Sequence, residues 1–262
     1  MHDGTQLMNT AHPLSPMGGH GLNTEICDVW DISWKLAAAL SGWGGPQLLE
    51  SYDTERRPIA HANAAMVNKA AVEVGMPLLT SAQRIGANIL VADDETGRKA
   101  RDDLGLETDK GHWLHDQTGK ILGYRYVSPV VIQDEEAGDP PKQEDEITKY
   151  IPTTWPGGRP PHVFLVDGKT SIFDHFTKGF SLIDFTPGCE FGKPFSTVSS
   201  ELGIPLEVVH LPQEQHARDL WERDVVLVRP DGHVAWRSSR SGGPTPTVEA
   251  VAAILRQVSG RL

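Results

Sequence analysis

Apolar residues near the start of the chain recur with helical spacing. After a loop rich in glycine and proline at residues 12–23, a helical pattern runs from residue 24 to about residue 40. Trp30 and Trp34, four residues apart, are predicted to lie in the core. The predicted apolar stripe of this helix consists of Ile26, Val29, Trp30, Ala37 and Leu40.

Both ends of this predicted helix carry the expected signals. Asn23 or Thr24 can cap the first turn, in which we place the acidic residues Glu25 and Asp28. Gly42 is positioned to end the helix. The pattern therefore predicts one amphipathic helix directly after the loop.

Further helical segments follow. Two are predicted on either side of Pro58, at residues 48–57 and 59–74, because proline disrupts a helix interior. Shorter helices are predicted around residues 81–90 and 95–104. This part of the chain is therefore expected to be mainly helical.

The middle of the chain changes character. Residues 122–132 predict a strand that is bent at Pro129. Residues 133–149 carry seven acids and a proline pair, a composition typical of a solvated linker. We therefore place a domain boundary near residue 150.

The remaining residues alternate between strand and helix patterns. Strands are predicted at residues 162–166, 182–185, 206–211, 225–228 and 233–237, and helices at residues 193–202, 217–222 and 247–258. The last two strands flank an Arg-Pro-Asp-Gly turn, which predicts a hairpin. The order β-β-α-β-(α)-β-β-α predicts a small α/β sandwich of the thioredoxin type.

Composition narrows the classes of function. The 262 residues carry a net charge of −11, which disfavours nucleic acid or an anionic membrane as a partner. No run approaches the roughly 18 apolar residues of a membrane-spanning helix. The first ten residues lack the features of a secretory signal, and the two cysteines, Cys27 and Cys189, are too few for a disulfide scaffold. We therefore expect a cytoplasmic protein.

The glycine-rich loop is the first candidate for chemistry. Gly18, Gly19 and Gly21 allow backbone N–H groups to approach a ligand closely, and a helix begins directly afterwards. A helix N-terminus offers unpaired donors and partial positive charge, which suit phosphate or another delocalised anion. A tight turn packed on a neighbouring strand is the alternative, and these residues alone leave both open.

Longer motifs carry a specific resemblance. They are AH at residues 11–12, PMGGHGLNT at 16–24, WKLA at 34–37, LLESYDTERRP at 48–58, LGYRY at 122–126 and LVRPDGHVAW at 227–236. In this order they resemble the class A FAD-dependent aromatic hydroxylases related to phenol hydroxylase. That branch carries a C-terminal thioredoxin-like domain, in agreement with the predicted strand order.

The resemblance implies a flavin-dependent monooxygenase that uses NAD(P)H and O₂ to hydroxylate a phenolic or other aromatic small molecule. It assigns no catalytic residue and no metal ligand to this chain. It also implies that the loop and helix start meet FAD, where Asn9 would contact the ribityl chain and Pro16 the ring. The cofactor-binding candidates are Asn9, Pro16, Gly18, Gly19, Gly21, Leu22 and Asn23.

The resemblance also has consequences for domain organisation. No G-x-G-x-x-G fingerprint for the FAD pyrophosphate occurs in the sequence. Asn9 replaces the family's aspartate and Glu25 its glycine, so we expect weak FAD binding by this chain alone. The expected fold is α/β, with a partial flavin-domain helical segment at residues 1–75, a connector at 76–150 and a thioredoxin-like domain at 151–262. We expect a C-terminal fragment of a longer hydroxylase.

A non-catalytic thioredoxin-like interaction or dimerisation module is the alternative function, and homodimerisation is left open. Cys189 occupies the position of the first thioredoxin cysteine, where a helix N-terminus would lower its pKa. Gly192 replaces the second cysteine, and a single thiol cannot run a dithiol cycle. We therefore favour a structural role over disulfide exchange.

Two smaller signals have ordinary explanations. His112 and His115 have the spacing of metal ligands but no third partner nearby, so surface histidines are favoured. The cluster Glu55-Arg56-Arg57 could be catalytic, but an ion-paired helix end is the preferred interpretation.

Overall fold

Two long helices open the part of the chain that the computed structural model describes, which comprises residues 19–142, 147–239 and 245–262. Helix α1 (His20–Leu40) packs against helix α2 (Pro46–Ala70). The chain leaves α1 through Gly42, whose φ of +77° is a conformation suited to glycine. The predicted end of the helix at Gly42 is confirmed.

Pro58 lies inside α2, so the predicted division into two helices at this proline is wrong. Proline in a helix interior removes a hydrogen bond and typically costs about 3 kcal/mol. Residues on both sides of it, including Glu55, Arg56 and Ala60, are buried, so tertiary contacts hold the helix together. A π-helical turn (Ala71–Gly75) then leads into the next helix.

Shorter helices complete the helical part. They are α3 (Met76–Ile85), α4 (Ala87–Leu90), α5 (Glu95–Asp109) and α6 (Thr118–Gly123). The predictions of helix around residues 81–90 and 95–104 are confirmed. The first region is divided into two helices at Gly86, whose φ is +87°. Asp94 caps α5 by accepting a hydrogen bond from the Gly97 N–H at 2.9 Å. No helix in the described part of the chain is long and apolar enough to cross a membrane.

The strands predicted at residues 122–132 and 162–166 are wrong. Each region contributes a single β-bridge, Arg125 with Gly158 and Phe164 with Ser171. The backbone hydrogen bonds in these regions are isolated and do not form a ladder. One example is the Tyr126 N–H, which donates to the Gly157 carbonyl at 2.9 Å. An apolar pattern does not produce a regular strand where no neighbouring strand runs alongside it.

The second part is built on one sheet. Its strands are β1 (Phe180–Asp184), β2 (Leu206–His210), β3 (Val225–Val228) and β4 (Val234–Arg237), in the order β2-β1-β3-β4. Strand β1 is parallel to β2 and antiparallel to β3, and β3 and β4 are antiparallel. The helices are α7 (Gly192–Leu202), α8 (Gln215–Trp221) and α9 (Val248–Val258). This order confirms the predicted α/β sandwich of the thioredoxin type.

Apolar clusters cover both faces of the sheet. The face toward α7 and α9 presents Phe180, Leu182, Val225 and Leu227. Trp34 of α1 and Trp43 belong to the same cluster, so the first helices and the sheet share one core. Trp221 of α8 packs on the opposite face with Ile183 and Val226.

The segment after α9 is hydrogen-bonded to the turn between α1 and α2. The Gly45 N–H donates to the Ser259 carbonyl at 2.8 Å. A Cβ atom on Gly45 would lie 2.0 Å from the Gly260 carbonyl oxygen, so the two backbones meet where a larger side chain would clash. This close approach explains the glycine at each position.

Part of the predicted acidic linker is held against the sheet. The Asp134 carboxylate accepts hydrogen bonds from Arg223 at 3.0 Å and from Arg237 at 2.7 Å, which corrects its interpretation as solvated. Residues 143–146 of this stretch lie outside the described residues. The proposed domain boundaries near residues 75 and 150 stay predictions.

Candidate functional site

Four of the seven predicted flavin-contacting residues lie at the start of α1. Gly19 immediately precedes the helix, and Gly21, Leu22 and Asn23 lie in its first turn. Asn9, Pro16 and Gly18, the other three candidates, lie outside the described residues. The structure therefore brings four of the seven candidates together at one helix terminus.

Helix α1 begins four residues earlier than predicted. Gly19 precedes it in the left-handed conformation, with φ of 71°, and no side chain caps the first turn. Asn23 and Thr24 are helical rather than capping, and their side chains bond back to the Gly19 and His20 carbonyls at 2.9 and 2.8 Å. Glu25 consequently lies in the second turn, and the first turn contains no acid.

This terminus fits FAD, the cofactor that the resemblance implies. The first four N–H groups of a helix have no acceptor within the helix, and the positive end of its dipole favours an anion. Leu22 and Asn23 would offer backbone donors to the anionic edge of a flavin. His20 is only 8% exposed, yet its Nε2 has no hydrogen-bond partner among the described residues. The terminus is thus rich in unused polar groups.

Polar residues dominate the buried face of α1, so the predicted apolar stripe is wrong. Ile26 and Leu40 are exposed, and the tryptophan pair is divided, with Trp34 buried and Trp30 61% exposed. The buried residues of α1 are His20, Thr24, Asp28, Asp31, Trp34, Lys35 and Ala38. Buried charges require partners, and these come from α2 and from the turn between β3 and β4.

The largest set of partners is a buried charge network, which we define as Asp31, Lys35, Glu55, Arg229 and Asp231. The Arg229 guanidinium donates to both Glu55 carboxylate oxygens, at 2.7 and 2.9 Å, and to Asp31 at 3.1 Å. It also donates from Nε to Asp231 at 3.1 Å. The Lys35 Nζ lies 2.7 Å from Glu55 and 2.8 Å from Asp31. Charge-assisted bonds therefore join α1, α2 and the β3–β4 turn.

The network distributes its protons unevenly. Burial opposes ionisation of Glu55, but Arg229 and Lys35 outweigh it and lower the pKa of Glu55 to about 2. Burial has the larger effect at Asp31, whose pKa is raised from 3.8 to about 7 despite Lys35 and Arg229. Asp31 is thus the carboxyl group of the network that can carry a proton near neutral pH.

A second buried contact surrounds Arg56. Its Nε donates to the Asp28 carboxylate at 2.6 Å, its Nη1 to the Tyr126 hydroxyl at 2.9 Å and its Nη2 to the Thr24 carbonyl at 3.3 Å. Burial disfavours the guanidinium charge, yet Tyr126 and Asp28 hold the pKa of Arg56 above its ordinary value. These bonds join α1 and α2 to the segment after α6.

The charge cluster in α2 differs from its prediction. Glu55 and Arg56 are ion-paired, as predicted, but they are buried in the interior of α2, so their placement at a helix end is wrong. Arg57 is 65% exposed and pairs with Asp53 at 2.5 Å. The two buried residues bond to side chains of α1, Glu55 to Lys35 and Arg56 to Asp28.

Cys189 lies between β1 and α7, where the thioredoxin pattern predicts it. The Asp184 carboxylate accepts hydrogen bonds from Phe191 and Gly192 N–H groups, both at 3.2 Å, and thereby occupies the N-terminus of α7. Burial and the charge of Asp184 raise the pKa of Cys189, so the predicted lowering is wrong. A Cβ atom on residue 192 would lie 2.4 Å from the Cys189 Sγ, which explains the glycine there.

No metal centre is formed by the described residues, in which no three histidine, cysteine or acidic side chains converge. His115 is exposed at the protein surface. The side chain of His112 lies outside the described part of the structure, so the interpretation of the His112/His115 pair stays a prediction.

Arg229 and Asp231 were not predicted as partners of the first helices. One signal was available in α1, where the charged residues Asp28, Asp31 and Lys35 recur at the spacing of a single helix face. Such a face is usually exposed, and nothing in the sequence shows that a turn almost 200 residues later covers it.

Two family models match the chain. The model described as FAD binding domain matches residues 9–67, and the model described as aromatic-ring hydroxylase, C-terminal, matches residues 153–261. The first includes the start of α1, and the second includes the whole sheet.

Curated relatives match nearly the entire chain. An FAD-dependent monooxygenase, apdD, of Emericella nidulans is 37% identical over 96% of this chain and 40% of its own length. A phenol 2-monooxygenase of a Pseudomonas species is 31% identical over 87% of this chain and 41% of its own length. The chain thus spans about two fifths of the length of these relatives.

Solved structures show the same fold. The rebeccamycin biosynthetic enzyme RebC with reduced flavin is 31% identical, with a TM-score of 0.73 over 95% of this chain and 43% of that one. The flavin-dependent monooxygenase PieE, in complex with FAD and substrate, is 31% identical, with a TM-score of 0.71 over 93% of this chain and 46% of that one. Sequence, family models and fold therefore confirm the resemblance, and the chain belongs to the family of FAD-dependent aromatic-ring hydroxylases.

Proposed function

We propose that the chain supplies the flavin-facing helix and the thioredoxin-like part of a monooxygenase that hydroxylates a phenolic or other aromatic substrate with FAD, NAD(P)H and O₂. The observation that carries this proposal is the uncapped start of α1 after Gly19, within the segment matched by the FAD-binding model. The names of the relatives support an aromatic substrate.

The residues of this chain act by binding and orientation. When bound, FAD supplies the redox and oxygen chemistry. The N–H groups of Leu22 and Asn23 donate to it, and the α1 dipole stabilises negative charge on it. Asn9, Pro16 and Gly18 are proposed as further contacts. The buried charge network holds α1 in place, so its N-terminus meets the cofactor in a fixed orientation.

A chimaera tests the activity. The chain is fused downstream of the part of the Pseudomonas phenol 2-monooxygenase that it does not match, because the G-x-G-x-x-G fingerprint is absent from its own sequence. We expect the fusion to bind FAD and to form catechol from phenol in the presence of NADPH and O₂. A folded fusion with bound FAD that forms no hydroxylated product from phenol or substituted phenols would overturn the proposal.

The backbone contact is tested in the same fusion. Leu22→Pro removes one backbone donor of the first turn, whose N–H groups have no acceptor within the helix, whereas Leu22→Ala retains the donor. We expect FAD affinity to fall about tenfold in Leu22→Pro relative to Leu22→Ala, the loss of roughly one hydrogen bond to a charged group. Equal FAD affinities of the two variants would contradict this contact.

Location and self-association complete the proposal. A cytoplasmic location is supported by two cysteines that are both free.

Homodimerisation is supported by exposed apolar residues on α1, including Ile26 and Trp30. Analytical ultracentrifugation across protein concentrations tests the dimer, and a constant monomer mass would exclude it.

A non-catalytic interaction module is the second candidate function. It is supported by Cys189, whose raised pKa and lack of a second cysteine do not suit disulfide exchange. Thiol titration with an aromatic disulfide tests this point, and we expect slow reaction of Cys189 at neutral pH. Hydroxylation of a phenol by the fusion would count against a purely non-catalytic role.

A further inference from the structure

A groove of about 720 Å³ lies between three segments of the chain that come after α5 and before β1. These segments are residues 119–127, 133–142 and 150–159, and none of them belongs to α1, α2 or the sheet. The half-buried side chain of Arg125 is part of the wall, so we call this space the Arg125 groove. A groove of this size can hold a small organic molecule.

The backbone fixes the position of Arg125 in the wall. It forms an antiparallel β-bridge with Gly158, and the N–H of the next residue, Tyr126, donates to the Gly157 carbonyl at 2.9 Å. Side chains alternate along an extended segment, so Arg125 lies opposite to Tyr124 and Tyr126, whose ring centroids are 5.6 Å apart. A Cβ atom on Gly158 would lie 3.4 Å from the Arg125 Cγ, so a larger side chain there would contact the arginine stem.

The charge of Arg125 has no counterion among the described residues. Burial lowers the pKa of Arg125, and no acidic side chain in the described part of the chain opposes this effect. Other arginines away from solvent differ, since Asp28 pairs with Arg56 and Asp134 with Arg223. A partly desolvated charge without a partner is unfavourable, so an anion that enters the groove gains affinity.

Three further cations line the same groove. They are Lys120, Lys142 and Arg159, and the ion pairs within the described ranges involve none of them. The described residues place one acid, Asp139, in the wall. An excess of cations over acids, in a chain with a net charge of −11, favours a ligand that carries several negative charges.

The chemistry of the wall suits oxyanions on a small carbon skeleton. A guanidinium presents a planar fork that matches a phosphate or carboxylate group, and an ammonium adds a point charge. Burial raises the pKa of Tyr150 although Arg159 opposes this rise, so the Tyr150 hydroxyl is a donor at neutral pH. The apolar part of the wall includes Val127, Ile151 and Trp155, which can contact carbon atoms of the ligand.

We propose that the Arg125 groove binds a compact organic molecule with two or more phosphate or carboxylate groups. Arg125 pairs with one of these groups through its fork, while Lys120, Lys142 and Arg159 neutralise the remaining charge. The flavin contact proposed above lies elsewhere, at the first turn of α1, and no residue of α1 or α2 lines the groove. A ligand in the groove touches all three segments between α5 and β1, so its binding ties them together.

Calorimetric titration of the full chain with pyrophosphate and with citrate tests this site. We expect saturable binding of at least one of them, about tenfold or more tighter than that of acetate, which carries a single charge. Tighter binding of pyrophosphate assigns the groove to phosphate esters, and tighter binding of citrate assigns it to polycarboxylates. The bound anion should also raise the midpoint of thermal unfolding as its concentration increases.

Variants of the cations separate charge from geometry. Arg125→Gln removes the fork and the charge and should weaken binding about tenfold, whereas Arg125→Lys keeps the charge and should weaken it about threefold. Lys142→Gln, at an exposed position of the rim, should fold normally and weaken binding about threefold, an effect that added salt should reduce. Arg84→Gln changes an exposed arginine of α3 and should leave the affinity unchanged.

Absence of saturable binding of both anions would overturn the proposal, as would wild-type affinity in an Arg125→Gln protein with unchanged thermal unfolding. Displacement of the bound anion by FAD or NADPH would assign the groove to the proposed cofactors and also overturn it. The fusion should bind the anion as the chain does, and lost binding there would show that the preceding part of the enzyme covers Arg125, which contradicts a ligand site. A fusion that binds the anion but forms no hydroxylated product contradicts the proposed function alone.

Discussion

The sheet and the contact between α1, α2 and the β3–β4 turn are both buried, but their interiors are made from opposite kinds of side chain. The sheet buries valine, leucine, isoleucine and phenylalanine on both faces. The helix contact buries Asp31, Lys35, Glu55, Arg229 and Asp231.

The two regions should therefore differ in how their stability responds to the loss of one side chain. Apolar burial is non-directional and roughly proportional to area, so one truncation removes only its own contribution. A buried ion network depends on every member, because removal of one charge leaves its partners desolvated and uncompensated. The helix contact should therefore be the more fragile and the more specific of the two.

Removal of the central cation should have the largest effect. Arg229→Met leaves the Glu55, Asp31 and Asp231 carboxylates with Lys35 as the remaining cation of the network. We expect a loss of about 3–5 kcal/mol in the free energy of unfolding, measured by urea denaturation. Arg57→Met, at an exposed pair, should change it by less than about 1 kcal/mol.

A double variant sharpens this result. In Arg229→Met, the change Glu55→Gln removes one uncompensated charge and should recover part of the lost stability. If the double variant is as unstable as the sum of the two single variants, the network does not act as a unit.

Truncation in the sheet should have a smaller and more local effect. Leu182→Ala in β1 leaves a cavity in a fully buried position, and we expect a loss of about 3 kcal/mol in unfolding free energy. Leu106→Ala, at an exposed position of α5, is the matched control and should have little effect. A loss in Leu182→Ala larger than that in Arg229→Met would reverse the comparison.

Protonation of the network should be visible as a pH dependence. Because the pKa of Asp31 is about 7 in the folded protein and 3.8 ordinarily, the folded state binds the proton more tightly over this interval. Proton binding by Asp31 therefore stabilises the folded state at low pH, and this stabilisation is lost as the pH rises from about 4 to about 7. Asp31→Asn should remove a dependence on the order of 1 kcal/mol per pH unit, measured by urea denaturation at several pH values. An unchanged slope would exclude Asp31 as the proton carrier.

A helix outside both interiors should show the smallest effect. Gly105 lies in α5 with open space around its missing side chain, so Gly105→Ala should stabilise the protein by about 0.5–1 kcal/mol in thermal unfolding. Gly97→Ala in the same helix should destabilise it, because the new Cβ would lie 2.1 Å from the Ala92 carbonyl oxygen. Stabilisation by both changes would contradict the packing around Gly97.

Local patterns predicted the elements whose partners are also local. Strands β3 and β4 follow from the Arg-Pro-Asp-Gly turn. The helix predicted at residues 247–258 corresponds to α9, which Thr247 caps by accepting a hydrogen bond from the Ala250 N–H. The continuous α2 across Pro58 was not predictable, because its propensity cost is offset by contacts with distant residues. The candidate flavin residues were located by motif, whereas the start of α1 at His20 was mispredicted because Asn23 resembles a cap.

The sequence by itself determined the α/β class, the thioredoxin-type order of elements and the resemblance to aromatic-ring hydroxylases. These features depend on hydrophobic period, turn chemistry and motif spacing, which are all local. Only the tertiary structure decided which face of α1 is buried, and which cations line the groove around Arg125. A charged face is buried only when partners desolvate with it, and Arg229 reaches Glu55 across 174 residues of sequence.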